Sequence, residues 1–187
     1  MIKSISIFIL AWSISLGLKA QVPAPGPEQT APIAIIKGTA HIGNGEVVEN
    51  SVVLFTNGKI ESVGVYNPTF DYSLYKIIDA TGKDIYPGLI LPLTKLGLEE
   101  VAAVRATRDD SEVGSIKPHI RSAIAFNTDS EIIPTMKFNG IQIAQIAPVG
   151  GRIEGTSSIM QLDAWNWEDA LYKEDDGVHM NWPNITT

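Results

Sequence analysis

Three histidines, two arginines set among acids and one glycine-rich run carry most of the chemistry open to this 187-residue sequence. His41, His119 and His179 lie far apart, and none has a second ligand at chelating spacing, so they do not read as a metal centre. His41 precedes a glycine-rich turn and reads as a solvated strand residue. His119, in Lys117-Pro118-His119-Ile120-Arg121, reads as a loop residue within reach of a substrate. Arg105 and Arg108 precede Asp109, Asp110 and Glu112. That loop is either a self-neutralising surface or a lid whose arginine grips a substrate carboxylate through two parallel hydrogen bonds. Gly150-Gly151-Arg152-Ile153-Glu154-Gly155-Thr156-Ser157-Ser158 offers backbone N–H groups that can shape a pocket, or it is plain turn chemistry. It lacks the Gly-Lys-Ser/Thr ending of a nucleotide-binding loop. Asp129 and Glu131 have the spacing of a carboxylate pair, but before a helix such residues, with Thr128 and Ser130, serve as caps. Trp165-Asn166-Trp167, followed by Glu168 and Asp169, is either a stacking platform or the start of a helix that packs its indoles inward.

The elements that must position these groups change character along the chain. Residues 33–85 are strand-rich. Ala34 to Ile42 is a β run closed by Gly43-Asn44-Gly45. Ser51 to Thr56 and Lys59 to Gly64 flank Asn57-Gly58, a strong short-range hairpin signal. Ile60 and Val63 break strict alternation, which predicts a bulge. Tyr75 to Asp79 reads as a further strand. Ile85 to Leu93 is a nearly continuous apolar run, as expected of a strand buried on both faces. Leu96 to Val104 reads as a short helix or turn, and Arg105 to Pro118 as a loop. Ser130 to Gly140 predicts a helix with Pro134 in its first turn and Gly140 at its end. Ile141 to Ile146 alternates as a strand. Ser158 to Leu162 reads as a short strand, and Trp167 to Lys173 as the start of a helix. There are no internal repeats.

Ile78-Asp79-Ala80-Thr81-Gly82-Lys83 followed by Pro87-Gly88-Leu89-Ile90, with hairpins before and the glycine-rich loop after, resembles the amidohydrolase superfamily. Within it, the chain is similar to an exported imidazolonepropionase-like branch. The likeness runs over about residues 33–182. It implies a mixed α/β fold: a small β-sandwich followed by the first strands of a (β/α)8 barrel. It also implies hydrolysis of carbon–nitrogen bonds other than peptide bonds, by metal-activated water. Where that family carries a His-x-His metal motif, this sequence has Leu93-Thr94-Lys95. Leucine has no lone pair to offer and a lysine cation repels a metal, so no metal ligand is assigned here. Zinc or another divalent metal is implied only for a complete protein. Arg105, Arg108, His119, Gly150 and Gly151 are the substrate-loop candidates, and the catalytic residues remain unassigned.

Composition bounds the rest. Lys3 followed by the apolar run Ile5 to Leu18 and Lys19-Ala20-Gln21 reads as a cleavable export signal rather than a stable membrane anchor, because a spanning helix needs about 20 apolar residues. The expected organisation is a signal over 1–20, a flexible proline-rich leader over 21–32, the sandwich portion over 33–85 and a truncated barrel over 86–187. A whole (β/α)8 barrel takes about 250 residues. A net charge of −7 disfavours nucleic acid as a partner. The absence of cysteine excludes disulfides and thiolate chemistry. The expected product is periplasmic or extracellular, with a small molecule as substrate. The alternative is a binding or scaffold protein that kept the fold without the metal.

Overall fold

Small and branched apolar residues alternate along Ile33 to Ala40, and this periodicity builds the first sheet. The computed structural model describes residues 25–182; the proposed signal over 1–20 lies outside them. Strand β1 (Ile33–His41) pairs antiparallel with β2 (Val47–Thr56), which pairs antiparallel with β3 (Lys59–Val65). Strand β4 (Lys76–Asp79) and the two-residue β5 (Asp84–Ile85) both run parallel to β1. The turn at Asn57 (φ 52°) and Gly58 (φ 71°) has both central residues left-handed, the geometry that matches the twist of paired strands. The expected bulge is present: Leu54 faces Ser62 while Phe55 faces Ile60, which leaves Glu61 over.

One face of this sheet buries Ala34, Ile36 and Val52 beneath Tyr66, Tyr72 and Tyr75. Among the described residues the portion expected to form a sandwich is a single five-stranded sheet. The part of the expected leader that is described, residues 25–32, is tied down. The Gln29 side chain donates to the Phe55 carbonyl at 3.0 Å and accepts from the Gly58 N–H at 3.1 Å.

The second sheet has the order β6-β7-β8-β9. Strands β6 (Leu89–Thr94) and β7 (Ile141–Ile146) are parallel, and β8 (Ile153–Gln161) and β9 (Leu171–Met180) continue antiparallel. The long crossover from β6 to β7 carries two short 3-10 turns and helix α1 (Ile132–Phe138). A second helix, α2 (Trp167–Ala170), is a single turn. The core lies between one face of this sheet and the crossover. It holds Ala144, Ile146 and Met160 from the strands against Leu96, Leu98, Ala123, Phe126 and Ile133.

Several expectations are corrected. The run Ile85 to Leu93 is not buried on both faces: Leu89, Ile90 and Leu93 are exposed, and the run is broken at Tyr86-Pro87-Gly88 into β5 and β6. Residues 155–157, read as part of a glycine-rich loop, belong to β8, which pairs with β9 along most of its length. Residues 167–173, read as the start of a helix, form one turn and then strand β9. Helix α1 begins at Ile132 with Glu131 at its N-cap position and no side-chain cap from Asp129; the Ser130 hydroxyl accepts weakly from the Ile132 N–H at 3.4 Å. The described residues are therefore mostly β, in two sheets with few helices. No helix of the described residues is long and apolar enough to cross a membrane.

Candidate functional site

In folds built on parallel strands, functional groups collect at the carboxyl ends of those strands. Strands β6 and β7 end together, with the Ala147 N–H donating to the Thr94 carbonyl at 3.0 Å. The next residue on the first strand is Lys95. Its ammonium lies 2.7 Å from Asp110 Oδ2 and 3.1 Å from Glu99 Oε2. Arg108 Nε backs both acids, 3.5 Å from Asp110 Oδ1 and 3.6 Å from Glu99 Oε2. Asp110 is 1% exposed.

The local fold explains the convergence. Glu99 and Arg108 face each other across an antiparallel bridge, and the Asp109 N–H donates to the Leu98 carbonyl at 2.8 Å. The Asp110 carbonyl accepts from the Val149 N–H at 2.7 Å, which fastens this loop to the end of β7. Burial pushes the Asp110 carboxyl up. The hydrogen bond and charge of Lys95, and then Arg108, outweigh it and hold the group below the ordinary carboxylate range. The Asp110 hydrogen bond raises Lys95 in turn, with burial opposing and Glu99 assisting.

Beside this cluster is a cleft of about 450 Å³ lined by Asp109, Ser111, Glu112, His119, Arg121 and Pro148, among others. Lys117 is buried next to it and donates to the carbonyls of Glu112 at 3.0 Å and Val149 at 3.2 Å, which holds the two loops together. Arg121 crosses to β9, where it pairs with Glu174 at 2.7 Å and with Asp175.

Of the residues singled out from sequence, His119 lines the cleft. Arg108 is enclosed by Glu99 and Asp110. Arg105 donates to the Arg108 carbonyl at 2.6 Å and lies on the exposed side of the loop. Gly150 and Gly151 do not join the cleft. The Gly150 N–H is taken by Glu154 at 3.0 Å, and a Cβ on Gly151 would stand 2.8 Å from the Ser115 carbonyl oxygen, so this turn is packed against the loop at 114–117. His41 is half-buried, hydrogen-bonds Asp84 at 3.0 Å and stacks on Tyr86 at 4.3 Å, away from the cluster. Trp167 packs against the core, whereas Trp165 is exposed.

Sequence reading missed Glu99, Arg121 and Lys117. Glu99 alone had a local signal, four residues after Lys95. The other two depend on contacts between distant segments.

The positions that the resemblance assigns to a His-x-His pair do not suit a divalent cation. Leu93 has φ 45°, which breaks the alternation that would put residues 93 and 95 on one face. Its N–H donates to Gln145 Oε1 at 3.2 Å, and Gln145 in turn donates to Asp176 at 2.7 Å. Lys95 is itself a cation with two carboxylates already on it. No group of three or more potential metal-ligating side chains occurs among the described residues.

The architecture is two sheets, with ionisable groups gathered at the end of a parallel strand pair. The chain superposes on an amidohydrolase from Thermotoga maritima with a TM-score of 0.72 over 81% of its length, at 24% identity, and spans 39% of that protein. At this identity the likeness shown is one of fold. A prolidase from Bifidobacterium longum aligns at 28% identity over 38% of this chain and 18% of its own, with a TM-score of 0.33. Molinate hydrolase aligns at 33% identity over 40% of this chain and 16% of its own, with a TM-score of 0.34. No protein-family model and no curated protein matches the sequence.

Proposed function

We propose that this chain is the N-terminal part of an exported amidohydrolase-like protein of the imidazolonepropionase-like branch, which hydrolyses carbon–nitrogen bonds other than peptide bonds in a small molecule. In this reading β6 and β7 are the first two strands of a (β/α)8 barrel. The observation that carries it is the cleft lined by His119, Glu112 and Arg121 beside the carboxyl ends of those strands, within the fold shared with the Thermotoga maritima amidohydrolase. Residues 25–182 supply the first strands and loop contacts to substrate. The catalytic groups, together with any zinc or other divalent metal, belong to residues beyond them.

A second reading, a non-catalytic periplasmic binding or scaffold protein, is favoured by one observation: Lys95 and its carboxylates fill the strand end where a metal enzyme needs ligands. The native product from the source cell separates the two. A polypeptide well above 20.2 kDa that releases amine or ammonia from small amides supports the hydrolase. A product near that mass, inert toward such substrates, refutes it.

A further inference from the structure

We propose that residues 25–32 are a clasp that sets how the two sheets sit against each other, with the chain at 86–88 as the hinge. No strand of one sheet pairs with a strand of the other. Among the described residues, no hydrogen bond or ion pair joins residues 33–85 directly to residues 89–182. The covalent link between the sheets is Tyr86-Pro87-Gly88, between β5 and β6. The clasp joins them by a second route. At one end the Gly26 N–H donates to Asp163 Oδ2 at 2.8 Å. Asp163 follows Leu162, a core residue of the second sheet whose N–H donates to the Gln142 carbonyl at 3.0 Å. The other Asp163 oxygen takes the Lys137 ammonium from α1. At the far end, Gln29 donates to the Phe55 carbonyl at 3.0 Å and accepts from the Gly58 N–H at 3.1 Å, both at the β2–β3 hairpin. The Pro32 carbonyl then accepts from the Lys76 N–H of β4 at 2.7 Å.

The two ends are not equally firm. The first sheet holds the clasp through Gln29 and Pro32, whereas the second holds it through one hydrogen bond to a carboxylate that is 44% exposed. A single hydrogen bond in reach of water opens while both sheets stay folded, so the Asp163 end is the one that releases. Pro25, Pro27 and Pro32 fix their own φ angles and keep the segment between the anchors stiff. Pro25 also lines a hollow of about 480 Å³ with Ile133, Pro134 and Phe138 of α1. Release of Gly26 therefore uncovers apolar surface on α1 and leaves residues 86–88 to carry the geometry between the sheets. A hollow of about 840 Å³ at this seam is lined by Gly43 from the first sheet, by Tyr86, Leu89 and Ile90, and by Asn139 and Gln142 from the second. Its width follows the clasp.

The test is a distance measured across the two sheets in the full chain. The sequence has no cysteine, so Glu49→Cys on β2 and Tyr172→Cys on β9, both at exposed positions, take spin labels there and nowhere else. By double electron–electron resonance the labelled parent is expected to give one narrow distance distribution. Gly26→Pro removes the donor N–H, and Gln29→Ala frees the other end of the clasp. Each is expected to shift or broaden the distribution by more than about 2 Å, while circular dichroism stays that of the parent because neither residue belongs to a core. Lys137→Met removes the neighbouring ion pair but keeps the Gly26 bond, and it should leave the distribution unchanged whatever it does to the melting temperature. The proposal is overturned if either clasp variant reproduces the parent distribution, if Lys137→Met broadens it as much as they do, or if the parent is already broad. The readout is a distance, so its failure is separate from a failure to find hydrolysis.

Discussion

Gly97 offers the sharpest test of how the cluster is positioned, because it stands between Lys95 and Glu99 in the turn that brings them together. Its φ is 74°, and a Cβ built there would lie 2.5 Å from Phe126 Cε2 and 2.6 Å from Phe126 Cδ2. The Phe126 ring is 5% exposed and packed in the core of the second sheet, so it has no solvent to retreat into. The Asn127 N–H donates to the Gly97 carbonyl at 2.9 Å, which ties the turn to that same segment. Two penalties then add in Gly97→Ala. Holding alanine in the left-handed region costs about 1–2 kcal/mol, and forcing a methyl group into a filled core costs about 1–3 kcal/mol. The expected loss is about 2–5 kcal/mol, read as the shift in a urea or guanidinium unfolding curve at constant slope. A second variant, Phe126→Leu, separates the two. With the ring shortened, the alanine should lose only its backbone penalty, so the double variant should be about 1–3 kcal/mol better than additive. Loss of less than about 0.5 kcal/mol in Gly97→Ala, or strict additivity with Phe126→Leu, would show that the turn is not held as described.

Three further outcomes are expected. Asp110 is depressed, so its contribution to stability is complete above the ordinary carboxylate value near 3.8 and is lost as pH falls through its lower folded value. Lys95 is raised, so its contribution is complete below about 10.5 and is lost as pH rises through its folded value. Denaturation midpoints measured from pH 2 to 6 should therefore fall at the acid end in the parent and fall less in Asp110→Asn. Met160→Ala, at a fully buried position in the core, should lose about 2–5 kcal/mol in the same assay, and a loss below 1 kcal/mol would mean that the second sheet is not packed there. Arg121→Ala, by contrast, should lose under about 1 kcal/mol, because its pairs with Glu174 and Asp175 are near half exposed; a loss above 2 kcal/mol would mean that β9 depends on them.

What was legible in the sequence was what is decided locally. Asn57-Gly58 fixed the β2–β3 turn because both residues tolerate positive φ, and the Asp79 carboxylate accepting from the Thr81 N–H at 2.8 Å explains the tight turn after β4. The alternation of Ile141 to Ile146 gave β7 directly. Strand β9 was not legible, because Lys173-Glu174-Asp175-Asp176 has no apolar alternation and is held by its pairing with β8 and by Gln145 and Arg121 from elsewhere. The first half of β8 was hidden by the glycines around it, since composition marks a turn while Gly155 pairs with His179 in the ladder. The cluster was half legible. The mismatch at Leu93 and Lys95 was visible, whereas the arrival of Asp110 beside Lys95 depends on the bridge between Glu99 and Arg108.

The crossover from β6 to β7 has a consequence for the order in which the molecule assembles. Strands β1 to β3 and the β8–β9 pair close over short spans of chain, but β6 and β7 are separated by the whole of residues 95–140. Contacts between distant segments must recover the entropy of closing the intervening loop, and they form slowly. The fastening of Asp110 to Val149 waits on that closure, because Val149 lies just past β7. The hairpins are thus early structure, and the junction of loop and strand that the cluster occupies is late. Pulse-labelled hydrogen exchange during refolding should protect the amides of β2 and β3 before those of Val149 and Ala147. The reverse order would mean that the crossover is preorganised.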